Sequence, residues 1–102
     1  MKIKYSLSKD TLYIALQGEL DECTANKTRD KIDELFTGIF GISRVIFNLA
    51  ELTFMDSTGI GMMIGRYKKL KPLGIKVFVQ NPNKTIEKIF EVSGLYKIMP
   101  KI

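Results

Sequence analysis

The chain has 102 residues, a net charge of +5 and no histidine. That length supports one small domain with a modest core, expected over residues 1–102, and the missing histidine excludes His-dependent triads and the usual His-containing metal sites. No apolar run is long enough to cross a bilayer, and Met1-Lys2-Ile3-Lys4 leads into no signal-peptide core, so a cytoplasmic address without membrane attachment is expected.

Ile3 to Ser6 reads as a short strand and Ser8-Lys9-Asp10 as a turn. In the second strand Leu12, Ile14 and Leu16 alternate with Tyr13, Ala15 and Gln17. Gly18 to Cys23 is expected as a loop, with the single Cys23 unable to form an internal disulfide and placed, half-buried, near a helix start. Ala25, Thr28, Ile32, Leu35, Phe36 and Ile39 then mark one face of a helix, and Gly38 and Gly41 loosen its exit. Arg44 to Leu49 is an apolar run of the kind buried on both faces of a parallel sheet.

Phe54-Met55-Asp56-Ser57-Thr58-Gly59-Ile60-Gly61 follows directly. Asp, Ser and Thr are residue types that cap helix N-termini, and the pattern after them is amphipathic. Ile60, Met63, Ile64, Tyr67 and Leu70 form the inward stripe, whereas Met62 points away from it. Arg66, Lys68, Lys69 and Lys71 read as the solvated side, and Pro72 and Gly74 stop the helix. No aromatic residues interleave with those cations, so direct nucleic-acid binding is not expected, and an acidic protein surface explains the charge equally well. Ile75 to Val79 is a fourth strand; Asn81-Pro82-Asn83 caps a last helix with Ile86, Ile89 and Phe90 inward. Gly94 stands where a left-handed C-terminal residue belongs, with Leu95 folding back. The order is ββαβαβα, a small mixed four-stranded α/β sheet with packed helices.

Only one position stands out chemically. A serine at a helix start sits where free N–H groups and the positive dipole end favour an added negative charge, so Ser57 suits a phosphorylation switch. Thr58 is the rival acceptor. Gly61 and Gly65 share a helix face, with Gly59 at the entry; glycine inside a helix costs up to ~1 kcal/mol, so each needs a reason. Close packing explains one of them and a bare patch for a partner the rest. Loops leaving the strand C-terminal ends gather at one edge, which brings Glu19 and Asp21 toward Asp56 and Ser57. Asp21 also reads as an N-cap for the helix around Ala25.

The segment from Phe54 to Gly61, continued by Gly65-Arg66-Tyr67-Lys68, resembles the phospho-acceptor segment of STAS domains, specifically the anti-sigma factor antagonists. Gly18-Glu19-Leu20-Asp21 with Thr24-Ala25, and Phe90-Glu91-Val92-Ser93-Gly94-Leu95-Tyr96-Lys97-Ile98, agree in order and spacing, so the resemblance covers nearly the whole chain. The Gly-Arg-Tyr-Lys continuation looks most like the sporulation branch, the SpoIIAA-like proteins. The resemblance implies a monomeric substrate and ligand rather than an enzyme, needing no cofactor or metal. In that family the unphosphorylated protein binds an anti-sigma factor that is also a serine kinase, which frees a sigma factor. The kinase then inactivates it with ATP at the motif serine, here Ser57, and a serine phosphatase restores it. The implied docking surface comprises Glu19, Asp21, Thr24, Asp56, Ser57, Thr58, Gly59, Gly61, Met62 and Gly65.

Three other readings compete. A STAS module of the general stress response would share the fold but serve another kinase. A nucleotide-binding STAS domain is a second, although the chain has no Gly-x-x-x-x-Gly-Lys-Ser/Thr loop. A small enzyme using Asp56 and Ser57 is the third, and it has no activating base in view.

Overall fold

A computed structural model describes residues 1–102. β1 (Lys2–Ser8) and β2 (Thr11–Leu20) form an antiparallel hairpin through a turn in which Lys9 takes φ 56°. α1 (Ala25–Gly38) then carries the chain back so that β3 (Arg44–Asn48) lies parallel to β2. After β4 (Leu52–Met55), α2 (Ser57–Leu70) makes the second crossover, and β5 (Lys76–Gln80) lies parallel to β3. α3 (Lys84–Ser93) closes the order. Parallel neighbours need such crossovers, because a tight turn can join only antiparallel strands.

The sheet runs β1-β2-β3-β5, with β4 paired to β2. It therefore has five strands rather than the expected four. Leu52 and Met55 are buried while Thr53 and Phe54 between them are exposed, a four-residue pattern without the period-2 alternation that announces a strand. Its partner was also hidden: β2 continues through Gly18, at φ 118°, to Leu20, across residues expected to form a loop. The register shifts between Gly18 and Glu19, so the strand bends there and pairs Glu19 with Phe54 and Leu20 with Met55.

One face of the sheet carries the core. Leu12, Ile14 and Leu16 of β2, Val45 and Phe47 of β3, and Val77 and Val79 of β5 meet Ile32, Met63, Ile86 and Phe90 from the helices. Each such side chain contributes about 1.5–3 kcal/mol when fully buried. α2 touches both the sheet and α1. More than a single stripe of it is therefore covered, and Gly59, Met62, Met63, Arg66 and Leu70 are all buried. Two sequence expectations fail for this reason. Met62 packs in the core instead of pointing outward, and Arg66 is enclosed between the helices. Arg66 Nε stands 3.2 Å from Asp33 Oδ1 of α1, and Lys69 Nζ is 3.4 Å from Asp33 Oδ2. Burial pushes the guanidinium pKa down, and the Asp33 charge opposes that shift.

The terminating signals act as read. Asn83 Oδ1 accepts from the Ile86 N–H at 2.8 Å, and Gly94 ends α3 in the left-handed conformation at φ 78°. Beyond it the Pro100 carbonyl accepts from Val79 N–H and the Ile102 N–H donates to the Val79 carbonyl, each at 3.0 Å, so the chain end covers the outer edge of β5. No helix is long and apolar enough to cross a membrane.

Candidate functional site

Ser57 is the first residue of α2, and Asp56 before it is the N-cap. The first four N–H groups of a helix lack intrahelical acceptors. Asp56 supplies two of them: its Oδ1 accepts from Gly59 N–H at 3.0 Å and its carbonyl from Ile60 N–H at 3.0 Å. The N–H groups of Ser57 and Thr58 are left at the exposed helix start, beside both hydroxyls. Because the aspartate performs the capping, the Ser57 hydroxyl is free of that task.

The second carboxylate oxygen reaches across the edge. Asp56 Oδ2 accepts from Glu22 N–H at 3.1 Å, and Asp56 N–H donates to the Leu20 carbonyl at 3.2 Å. The loop after β2 is thereby tied to the start of α2, and the carboxylates of that loop share one edge with Ser57. Asp21 Oδ1 accepts from the N–H groups of Cys23 and Thr24 at 2.9 and 3.1 Å. The Thr24 hydroxyl donates to the Glu19 carbonyl at 2.8 Å and accepts from Asp21 N–H at 3.0 Å. Asp21 thus closes a turn of its own, while Thr24 occupies the α1 cap position without a side-chain cap bond. Cys23, expected to be half-buried, is exposed on this turn.

The glycines divide. A Cβ at Gly59 would stand 2.4 Å from the Leu20 carbonyl oxygen and 3.0 Å from both Leu20 Cγ and Met55 Cγ, so only glycine lets α2 approach the sheet this closely. A Cβ at Gly61 or Gly65 would meet nothing within 4 Å. Those two open a groove of about 260 Å³ between α1 and α2, floored by Met62 and Arg66 and walled by Thr58, Asn26 and Arg29.

Glu19, Asp21, Thr24, Asp56, Ser57, Thr58 and Gly59 therefore gather at one edge, with Gly61 and Gly65 leading away along α2. Met62 contributes from beneath. Two neighbours escaped the sequence reading. Glu22 is anchored through its backbone, which no side-chain pattern reveals, and Phe54 is 45% exposed beside the site, an apolar residue in a strand too short to recognise. No three His, Cys, Asp or Glu side chains converge as a metal would require.

A mixed sheet whose edge presents a serine-led helix beside an acidic turn defines a class, and the chain belongs to it: the STAS domain family, whose profile matches residues 2–102. Within that family it stands with the SpoIIAA-like anti-sigma factor antagonists. It is 37% identical over 90 residues to the anti-sigma F factor antagonist of Lysinibacillus sphaericus, covering 87% of this chain and 75% of the relative. The structure of the anti-sigma factor antagonist SpoIIAA in its unphosphorylated form matches with a TM-score of 0.80 and 30% identity, over 99% of this chain and 88% of that one. The Bacillus cell fate determinant SpoIIAA in its phosphorylated form matches with a TM-score of 0.72 and 32% identity, over 99% and 91% of the two chains.

Proposed function

We propose that this protein is an anti-sigma factor antagonist switched by phosphorylation at Ser57. Unphosphorylated, it docks its acidic edge on an anti-sigma factor that is also a serine kinase, and a sigma factor is released. The kinase transfers the γ-phosphoryl group of ATP to the Ser57 oxygen, giving ADP and a phosphoserine, and a serine phosphatase restores the hydroxyl by hydrolysis. The protein acts as substrate and ligand, and it supplies no catalytic group.

The observation that carries this reading is the division of labour at the α2 start. Asp56 holds the cap and the neighbouring loop, while the exposed Ser57 hydroxyl stands free at the dipole end beside unpaired N–H groups. A phosphoryl group adds about −1.5 to −2 charges at pH 7. Its own helix tolerates that charge. A partner surface fitted to a hydroxyl and to Glu19, Asp21 and Asp56 does not, and a penalty of ~2–4 kcal/mol corresponds to roughly 30- to 1000-fold in affinity.

The test is incubation with a SpoIIAA-type anti-sigma kinase and ATP, followed by phosphate mapping by mass spectrometry. Modification confined to Ser57, with Ser57→Ala bound but unmodified and Ser57→Asp bound poorly, is the expected result. Phosphate on Thr58, with Ser57→Ala modified at full rate, overturns the assignment.

A further inference from the structure

The helices all lie on one face of the sheet, which leaves the other face open. Across that face, Tyr13 of β2 is opposite Ile46 of β3, and Ile46 is opposite Phe78 of β5. Ile46 is only 2% exposed, yet it is the one buried apolar residue outside the core cluster. Tyr13 and Phe78 flank it, half-exposed and also outside the core. The face thus has its own apolar row of ring, aliphatic and ring.

Cations border this row on both sides. Arg44 pairs with Lys76 two residues before it along β3 and β5, and Lys4 lies opposite Ala15 two residues beyond Tyr13. All three are exposed, and none takes part in an ion pair. Among the positions of β1, β2, β3 and β5 that share this face, the one carboxylate is Glu19, at the far end of β2 past the register shift and beside β4. Asp10, in the turn at its margin, is already engaged by the Ser43 and Thr11 hydroxyls. Next to the Tyr13 ring, a depression of about 390 Å³ is lined by Lys4, Ser6, Ala15, Asn48 and Gln80.

From these features we infer that the open sheet face binds single-stranded nucleic acid. Ring faces, a phosphate-attracting border on each side and side-chain amides between them match the three parts of a nucleotide, and stacking on sheet-borne aromatics is how such strands are held. Two strand spacings separate the rings by about 10 Å, which suits splayed bases and not the stacked edges of a duplex. A second copy of this chain would meet the same cations with its own, so self-association through this face is disfavoured. The cationic side of α2 lacks aromatic residues, which is why nucleic acid was not expected from the sequence; here rings and cations come together from four strands. The site lies opposite α2 and is independent of the Ser57 switch.

The test is fluorescence anisotropy of the full chain with 5′-labelled dT12 and U12 at 50 mM salt. The chain has no tryptophan, so quenching of its intrinsic emission reads the tyrosines. Saturable binding is expected, with a log affinity that falls linearly with log salt. Lys4→Glu/Lys76→Glu should weaken it roughly tenfold or more and flatten that slope. Tyr13→Leu keeps the cover over Ile46 but removes a stacking ring; it should cost about 5- to 150-fold and abolish most of the quenching. Thermal melts verify that both variants fold, and Phe78→Leu replaces Tyr13→Leu if that variant does not. Absence of saturable binding, binding indifferent to these substitutions, or tighter binding of a glutamate-rich 12-residue peptide overturns the inference.

Discussion

A methyl group added at residue 59 would stand 2.4 Å from a backbone oxygen, and backbone cannot swing aside as a side-chain tip does. Gly59→Ala is therefore expected to cost ~2–4 kcal/mol and lower the melting temperature by on the order of ten degrees or more. Gly61→Ala meets open space and should instead stabilise the fold by up to ~1 kcal/mol, while weakening binding of the anti-sigma partner. Calorimetry of the two variants checks the pair, and a shared direction of change refutes it. Asp21 offers a similar separation. Its Oδ1 accepts from two N–H groups, so Asp21→Asn keeps the turn and its melting temperature but loses the charge; docking should weaken and lose part of its salt dependence. Asp21→Ala should lose ~0.5–2 kcal/mol of stability as well. An Asn variant that binds normally but melts early identifies Asp21 as a turn-holding residue alone. At this scale the local chemistry was legible: Asp-Ser-Thr announced a helix start, and Gly94 announced a helix end. Which of Asp56 and Ser57 performs the cap was not, since both types suit it and only the Gly59 N–H bond to Asp56 Oδ1 decides.

Elements were legible where their own sequence carries the period, and illegible where burial comes from two sides. α2 shows this in Arg66 and Met62, which lie off the stripe that faces the sheet and are covered by α1. Removing one partner of the Arg66–Asp33 pair strands an enclosed charge, whereas replacing the arginine by an apolar chain removes the need for a partner. Asp33→Ala is accordingly expected to destabilise by roughly 2–3 kcal/mol, with Lys69 only partly shielding the loss, and Arg66→Met to be nearly neutral in denaturant titrations. The chain end responds to pH. The Lys101 ammonium holds the Glu87 carboxyl below the usual carboxylate range, and Glu87 in turn raises Lys101. A depressed carboxyl contributes above its unfolded pKa and is lost as pH falls through its folded one; the raised lysine contributes below its unfolded pKa and is lost as pH rises through its folded one. Hydrogen exchange at Ile102 N–H, which donates to Val79, should thus show more protection near pH 6 than near pH 3 after correction for intrinsic rates. Lys101→Ala should remove that difference.

The whole molecule is asymmetric in charge. The net +5 conceals an acidic edge of Glu19, Asp21, Glu22 and Asp56, set against a sheet face where Lys4, Arg44 and Lys76 gather away from Glu19. Composition and patterning revealed the total but not its division, because rows across a sheet are separated by tens of residues along the chain. The phosphorylation proposed at Ser57 would add to the acidic edge at a helix start that already favours negative charge, so the fold would have no cause to rearrange. Amide spectra of the two forms should differ mainly at Asp56 to Gly59 and at Glu22, whose N–H the cap residue holds. Shifts spread along all of α2 would instead require a conformational switch.

The unequal standing of the three glycines has an evolutionary consequence. Position 59 answers to the chain's own backbone, while positions 61 and 65 answer to whatever sits outside it. A lineage that lost its anti-sigma factor would drift toward alanine at 61 and 65, gaining helix stability with each step, and would still be held to glycine at 59. Divergence at those two sites would record the loss of a partner in a protein that remains folded.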